Sequence, residues 1–296
     1  MYAFTYHRPG SARQAAGLLA KKEDAKILAG GHTLLPTMKQ RLASPAALVD
    51  LGGCGDLKGI VRKGRTLHVG AMSTHAEVAA SSIVQEAIPG LAYLASHIGD
   101  PHVRHRGTIG GSVANNDPAA DYPAACLALG ATIVTNKRKI EADDFFTGLY
   151  ETALEEGEII TKVVFPVVSK AGYAKFRNPA SRYALVGVFV AKRGSEIRVA
   201  VTGAGEGGVF RWPEAEAALK GRFAPKSLDG LKASAEGINA DMHADADYRA
   251  HLIGVMTRQA VAQATGKCRR TAPRRSARHA RYRDRPRPSG RARRSP

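Results

Sequence analysis

Two short glycine-paired segments are the residues best placed to do chemistry in this chain. The first reads Ala29-Gly30-Gly31-His32-Thr33-Leu34-Leu35. The second reads Thr108-Ile109-Gly110-Gly111-Ser112, with Asp121 a short way downstream. Each follows an apolar stretch and precedes a segment of helical spacing. Paired glycines carry no Cβ, so a ligand can come close to the backbone. Successive amide N–H groups in such a bend can converge on one anion, and a helix N-terminus adds partial positive charge. Thr33 and Ser112 place a hydroxyl beside each glycine pair, and hydroxyls supplement backbone donors at such sites. One Gly-Gly bend alone is more often plain turn chemistry. Two of them, each with its hydroxyl, fit the two phosphates of a dinucleotide.

Other patterns carry less. Gly203-Ala204-Gly205-Glu206-Gly207-Gly208 matches G-x-G-x-x-G. Glu206 would aim negative charge at a pyrophosphate, and Val209-Phe210-Arg211-Trp212-Pro213 is slow to open a helix, so the run reads as a connecting turn. Asp121 reads two ways: as an acceptor for ribose or ribityl hydroxyls, or as a first-turn carboxylate favoured by the helix dipole. His102 and His105 precede the second bend with Arg104 and Arg106. They lack the carboxylates or thiols of a metal pair and read as a basic approach to that bend or as solvated surface. His32 contributes more through its backbone than its ring. No Ser/His/Asp arrangement and no catalytic carboxylate pair is legible, so no catalytic or metal-binding residue is assigned.

The elements that must position these bends follow from caps and periodicity. Ser11 to Gln14 fits a capping box opening a helix with Ala15, Leu18 and Leu19 on one face. Lys26–Ala29 and Ala47–Leu51 read as strands, with a helix through Leu34, Leu35, Met38 and Leu42 between them. Lys58–Val61 and Thr66–Val69 read as a hairpin. Thr74 to Glu77 is a second capping box. A helix through Leu91, Leu94, Ala95 and Ile98 leads to the second bend, and Asp117-Pro118 starts another through Ala125, Leu127 and Leu129. Residues 131–168 are strand-rich, ending at Ile159–Pro166. Beyond about 170 the pattern changes. Tyr183–Val190 and Glu196–Val201 read as strands, with helices near 213–220, 228–237 and 246–265. The class is α+β with a boundary near residue 170.

Bulk properties bound the answer. At 296 residues and 44 % hydrophobic content the chain has room for two ordinary domains. No apolar run approaches the roughly 20 residues of a membrane span, and the first residues do not read as a secretory signal. Cys54, Cys126 and Cys268 are too scattered for a metal site or disulfide framework, which fits a reducing cytoplasm. The net charge is +18. Twelve arginines against Asp284 put +11 of it in residues 269–296, leaving +7 for the first 268. That tail is too poor in large apolar residues to bury a core. It reads as a disordered appendage or an out-of-frame translation; a basic arm for nucleic acid or anionic lipid is the alternative.

The segments "AGGHTLLPTMKQRLASPAALVDL" and "GTIGGSVANNDPAADYPAACLALGA" resemble the FAD-binding medium subunits of molybdenum hydroxylases, above all the carbon monoxide dehydrogenase type; the flavin domain of xanthine dehydrogenase is similar. The resemblance runs from "YHRPGSARQAAGLLA" to "YRAHLIGVMTRQAVAQA", about 265 of the 296 residues. It implies a bipartite FAD-binding domain over 1–170, with subdomains of about 1–55 and 56–170, then a smaller α+β domain over 171–267 with an antiparallel sheet and helices. Residues 268–296 match nothing in the family. Ala29, Gly30, Gly31, His32, Thr33, Leu34 and Leu35, with Thr108, Ile109, Gly110, Gly111 and Ser112, would line the FAD pyrophosphate. Many relatives have Asn where Ser112 stands, and a hydroxyl still donates there. Asp121 would hold cofactor hydroxyls. Ile98 falls near the flavin, Ile160 and Lys175 match further contacts, and Tyr183 in "KFRNPASRYALVGV" falls where a tyrosine lies against the isoalloxazine ring.

In such enzymes the substrate chemistry lies elsewhere. A large subunit holds the molybdenum cofactor and a small subunit holds two [2Fe–2S] clusters, in a dimer of heterotrimers. Electrons pass through the clusters to FAD and then to an external acceptor. Three scattered cysteines agree with this division, since they cannot ligate a cluster alone. Competing readings are a stand-alone flavin oxidoreductase using a nicotinamide, for which no second site is visible, and a nucleic-acid binder acting through the tail.

Overall fold

The computed structural model describes residues 1–266; the basic tail 268–296 and Cys268 lie outside them. β1 (Thr5–His7), β2 (Ala25–Leu28) and β3 (Ala47–Asp50) form a parallel sheet in the order β1-β3-β2. Parallel neighbours need crossovers, supplied by α1 (Ala12–Lys21) and α2 (Leu34–Lys39). Ser11 caps α1 by accepting the Gln14 amide, while the Gln14 side chain returns to the Gly10 amide rather than to that of Ser11. α2 stops at Lys39, so Leu42, expected on its apolar face, lies beyond it and is exposed.

A second, antiparallel sheet has the order β4-β5-β10-β6-β7. It is built from β4 (Ile60–Lys63), β5 (Thr66–Gly70), β6 (Thr132–Thr135), β7 (Lys139–Glu141) and, after the short ribbon β8 (Phe146–Gly148) and β9 (Glu151–Thr152), β10 (Ile160–Pro166). Helices α3 (His75–Ala80), α4 (Ser82–Ala87), α5 (Pro89–Ser96), α6 (Pro101–Arg106), α7 (Ile109–Asn115), α8 (Tyr122–Leu129) and α9 (Ala142–Phe145) accompany it. Both arms of the predicted capping box form at α3: Thr74 accepts from the Glu77 amide, and Glu77 accepts from that of Thr74. α5 ends at Ser96, which leaves Ile98 in the turn that follows.

The third sheet is an antiparallel meander of β11 (Lys170–Arg177), β12 (Ala184–Arg193), β13 (Glu196–Gly205) and β14 (Gly208–Arg211), followed by α10 (Pro213–Gly221) and α11 (Ala246–Ala264). Both of its faces are covered. Val186, Val188 and Val190 pack with Trp212, Ile253 and Met256 in one core. Tyr173, Phe189 and Ala191 join Leu91, Leu94 and Tyr122 in another. Double coverage explains why Ala184–Ala191 is apolar throughout instead of alternating. It also carries one core across the sequence boundary at 170. Gly205 pairs with Gly208, so the G-x-G-x-x-G run is the hairpin turn it reads as.

Two expected helices are corrected. The one expected from Asp117-Pro118 begins only at Tyr122. Thr202 donates through Oγ to the carbonyls of Pro118 and Ala120, and the Gly203 amide donates to Pro118 as well, so these carbonyls serve β13 instead of a helix. The helix expected near 228–237 is a single 3-10 turn, Pro225–Leu228, then irregular chain in which Gly230 and Gly237 take φ of 80° and 70°. No helix among the described residues is long and apolar enough to cross a membrane.

Candidate functional site

The first diglycine bend leaves the carboxyl end of β2 and enters α2, the end of a parallel sheet where ligands bind in open α/β layers. Gly31 takes φ 78°, which turns the chain sharply. Among the described residues the amides of Gly30, Gly31, His32, Thr33 and Leu34 make no hydrogen bond, and the Thr33 hydroxyl makes none either. The bend is half-exposed, and His32 and Thr33 face solvent. A row of unpaired donors in reach of water is what an anion requires.

The second bend touches the first. A Cβ on Gly30 would fall 2.4 Å from the Arg106 carbonyl oxygen and 2.8 Å from Cα of Gly107; one on Gly111 would fall 3.5 Å from Cβ of Ala29. Both glycine pairs therefore lie along one seam. The amides of the second bend, however, are in use. Ile109 donates to Ser73 O at 3.0 Å, Gly110 to Ala71 O at 2.8 Å and Ser112 to Thr108 O at 3.0 Å. Gly111 donates to Thr108 Oγ at 3.2 Å, the N-cap bond of α7. Gly110 is buried, and its missing Cβ would fall 2.6 Å from that of Ala71. The Ser112 hydroxyl makes no hydrogen bond among the described residues, which makes it the free donor this bend offers.

His75 braces the second bend from below, a role that its place in a capping box conceals. Its amide donates to Gly107 O at 2.9 Å, and its Nε2 lies 2.5 Å from where a Gly107 Cβ would stand. Burial, with help from the charges of His32 and Arg104, holds its pKa down at about 4, so the ring is neutral at pH 7. Its Nδ1 and the hydroxyl of Tyr122, whose ring centroid is 5.4 Å away, are both buried without a partner among the described residues.

Asp121 stands at the start of α8 but makes no cap bond to it. It is buried, and Lys175 Nζ donates to its two oxygens at 2.8 and 3.0 Å and to His97 O at 3.1 Å. The Tyr173 hydroxyl donates to Asp121 Oδ1. The two charged side chains are only 5 % and 4 % exposed, a setting in which an unpaired charge would be strongly disfavoured. Lys175 thus joins β11 to the starts of α8 and of the 97–100 turn. Ile98 follows directly and is half-buried; Arg104 Nη1 donates to its carbonyl and to that of Gly99, both at 3.0 Å. Ile160 is buried in β10 at a register shift opposite Thr135, and faces the main core. Tyr183 stands apart from the bends, about half exposed, on the turn before β12. It borders a cleft of about 340 Å³ lined also by Pro118, Asn178, Asp241 and Arg249.

Known proteins align with this architecture. Residues 2–168 match the family described as the FAD binding domain in molybdopterin dehydrogenase. The chain is 37 % identical to the nicotine 6-hydroxylase medium subunit of Paenarthrobacter nicotinovorans, over 88 % of this chain and 97 % of that one. It is 36 % identical to the carbon monoxide dehydrogenase medium chain of Hydrogenophaga pseudoflava, over 90 % and 98 %. Among solved structures, a chain of reconstituted CO dehydrogenase from Oligotropha carboxidovorans superposes with a TM-score of 0.82 at 36 % identity, covering 90 % of this chain and 99 % of that one.

Proposed function

This chain belongs to the FAD-binding medium subunits of molybdenum hydroxylases, and from that premise we propose how its own residues hold the cofactor and pass electrons on. The amides of Gly30 to Leu34 take the pyrophosphate, with the hydroxyls of Thr33 and Ser112 as further donors. Ala29, Leu35, the half-buried Gly111 and the buried Thr108, Ile109 and Gly110 would keep that seam closed from behind. The observation that carries this reading is the unpaired amide row pressed against the second bend. Asp121 would offer its remaining lone pairs to cofactor hydroxyls while Lys175 holds it in place. Ile98 and Ile160 would supply apolar surroundings, and the exposed Tyr183 ring would shield the isoalloxazine from water.

FAD, when bound, supplies a carrier that accepts and returns electrons. The protein's share is to bind it, orient its ring and exclude water from one side. It would take electrons from [2Fe–2S] clusters on a small partner subunit and hand them to an external acceptor. Substrate oxidation, of the carbon monoxide dehydrogenase type, belongs to a molybdopterin-binding large subunit. The assembly is a dimer of heterotrimers in a reducing cytoplasm, a setting consistent with Cys54 and Cys126, both free and buried. The visible spectrum of the complex tests the reading. Flavin bands are expected, and they should be lost on exchange of Gly30 for a bulkier residue. A flavin-free complex that takes up no added FAD sinks it.

A further inference from the structure

Two exposed tyrosines on the molecule are presented in the same unusual way. Tyr150 lies in the bend between β8 and β9 with φ 55°, a conformation sparsely populated by bulky side chains. It is 62 % exposed, so burial of its ring does not offset the strain. What holds it is Asn116, buried and itself left-handed at φ 42°. Asn116 Nδ2 donates to Gly148 O and Glu151 O, both at 2.8 Å, and its carbonyl accepts from the Tyr150 amide at 3.2 Å. Tyr183 sits on a turn whose preceding residue, Arg182, has φ 63°. That turn too is held by a buried asparagine. Asn178 Oδ1 accepts from the amides of Ala180 and Ser181, its carbonyl accepts from Arg182, and its amide donates to Tyr183 O.

The two rings flank one short segment. The Tyr150 hydroxyl lies 3.5 Å from Asp117 Oδ2, and Tyr183 lines one cleft with the adjoining Pro118 and Ala119. No ring contact joins the two tyrosines among the described residues. Asn116 directly follows α7, whose seven residues span about 10 Å from the second bend. Backbone strain that the fold maintains around an exposed side chain points to a use for that side chain.

We propose that Tyr150 is a second aromatic wall, set across Asp117 from Tyr183, and that the planar ring the two tyrosines border is the isoalloxazine of the bound flavin. This rests on the flavin reading above. Tyr150 contacts the ring system, and the hydrogen bonds of Asn116 hold it there at the expense of local stability.

The test uses the full chain in complex with its partner subunits. Tyr150→Asn and Tyr150→Gly both tolerate the left-handed backbone and remove the ring. Either should weaken FAD binding about threefold to tenfold, the range of an aromatic contact, and raise the emission of bound flavin by removing a quenching ring. Tyr150→Gly should at the same time raise the Tm by about 2 °C as strain is relieved. Tyr150→Phe should restore binding and quenching. If wild type takes up FAD and the Asn and Gly variants match it in affinity and emission, the second wall is wrong and the flavin reading stands. If wild type takes up no FAD, both fall together.

Discussion

At the first diglycine bend the amides of Gly30 to Leu34 are unpaired among the described residues and close to solvent, whereas at the second those of Ile109 to Ser112 are all taken up by Ala71, Ser73 and Thr108. The two motifs look alike on paper. One packs Gly30 against the Arg106 carbonyl and leaves its amide donors open. The other spends its glycines on letting α7 sit against the 71–75 segment with no side chain between. Gly-Gly therefore marks close approach of backbone to something, and the hydrogen bonds decide whether that something is a ligand or the protein itself.

Several substitutions break or sharpen this contrast. The largest effect is expected from Gly30→Ala, whose Cβ would meet the Arg106 carbonyl at 2.4 Å and part the two bends. FAD affinity should fall about 100-fold, or about 3 kcal/mol, in a flavin titration of the complex. Unchanged affinity would show that the seam does not matter. Next comes pH. His75 is neutral when folded, with a pKa of about 4, but takes a proton near pH 6.5 when unfolded. The unfolded state therefore binds more protons between those values. Stability should be full above about pH 6.5 and decline as the pH falls toward 4, by about 3 kcal/mol in all. Urea unfolding across that range measures it, and His75→Phe should flatten the slope.

Gly110→Ala tests the other half of the comparison. A Cβ there would overlap Ala71, so stability should drop by about 1–3 kcal/mol while FAD affinity of the folded fraction stays within about twofold. A large loss of affinity with little loss of stability would mean that the second bend, too, binds directly. The smallest pair is Thr108→Ala against Thr33→Ala. Thr108 caps α7, and its loss should lower stability by about 1 kcal/mol. Thr33 makes no cap bond, so its loss should change stability by less than about 0.5 kcal/mol and show up in FAD affinity instead.

What was legible in the sequence is what is local. The Thr74–Glu77 box, the α11 periodicity and the hairpin at Gly205–Gly208 all involve residues a few positions apart, where side-chain type and spacing suffice. The candidate site needed distant partners. Nothing near Gly110 announces that Ala71 will take its amide, and nothing near Asp121 announces Lys175 and Tyr173 on a strand more than fifty residues on. The same cause misled the reading of Asp117-Pro118 as a helix start, because Thr202 reaches across from β13 to claim its carbonyls. Strand β11 went unread because its alternation is faint, and with it the importance of Tyr173. Asn116 had a weak signal: consecutive asparagines after a helical run suit a left-handed end.

The last turn of α11 is nearer to the Asp121–Lys175 cluster than its place in the chain suggests. Gln263 accepts the Tyr173 amide at 2.6 Å, and a Cβ on Gly172 would fall 2.1 Å from the Ala260 carbonyl oxygen. The strand bearing Tyr173 and Lys175 is thus clasped by the final helix. Anyone shortening this protein to remove its arginine-rich extension has a hard stop there: a cut after Thr265 spares the clasp, while one before Gln263 would loosen the strand that pins Asp121 and so be felt on the far side of the sheet.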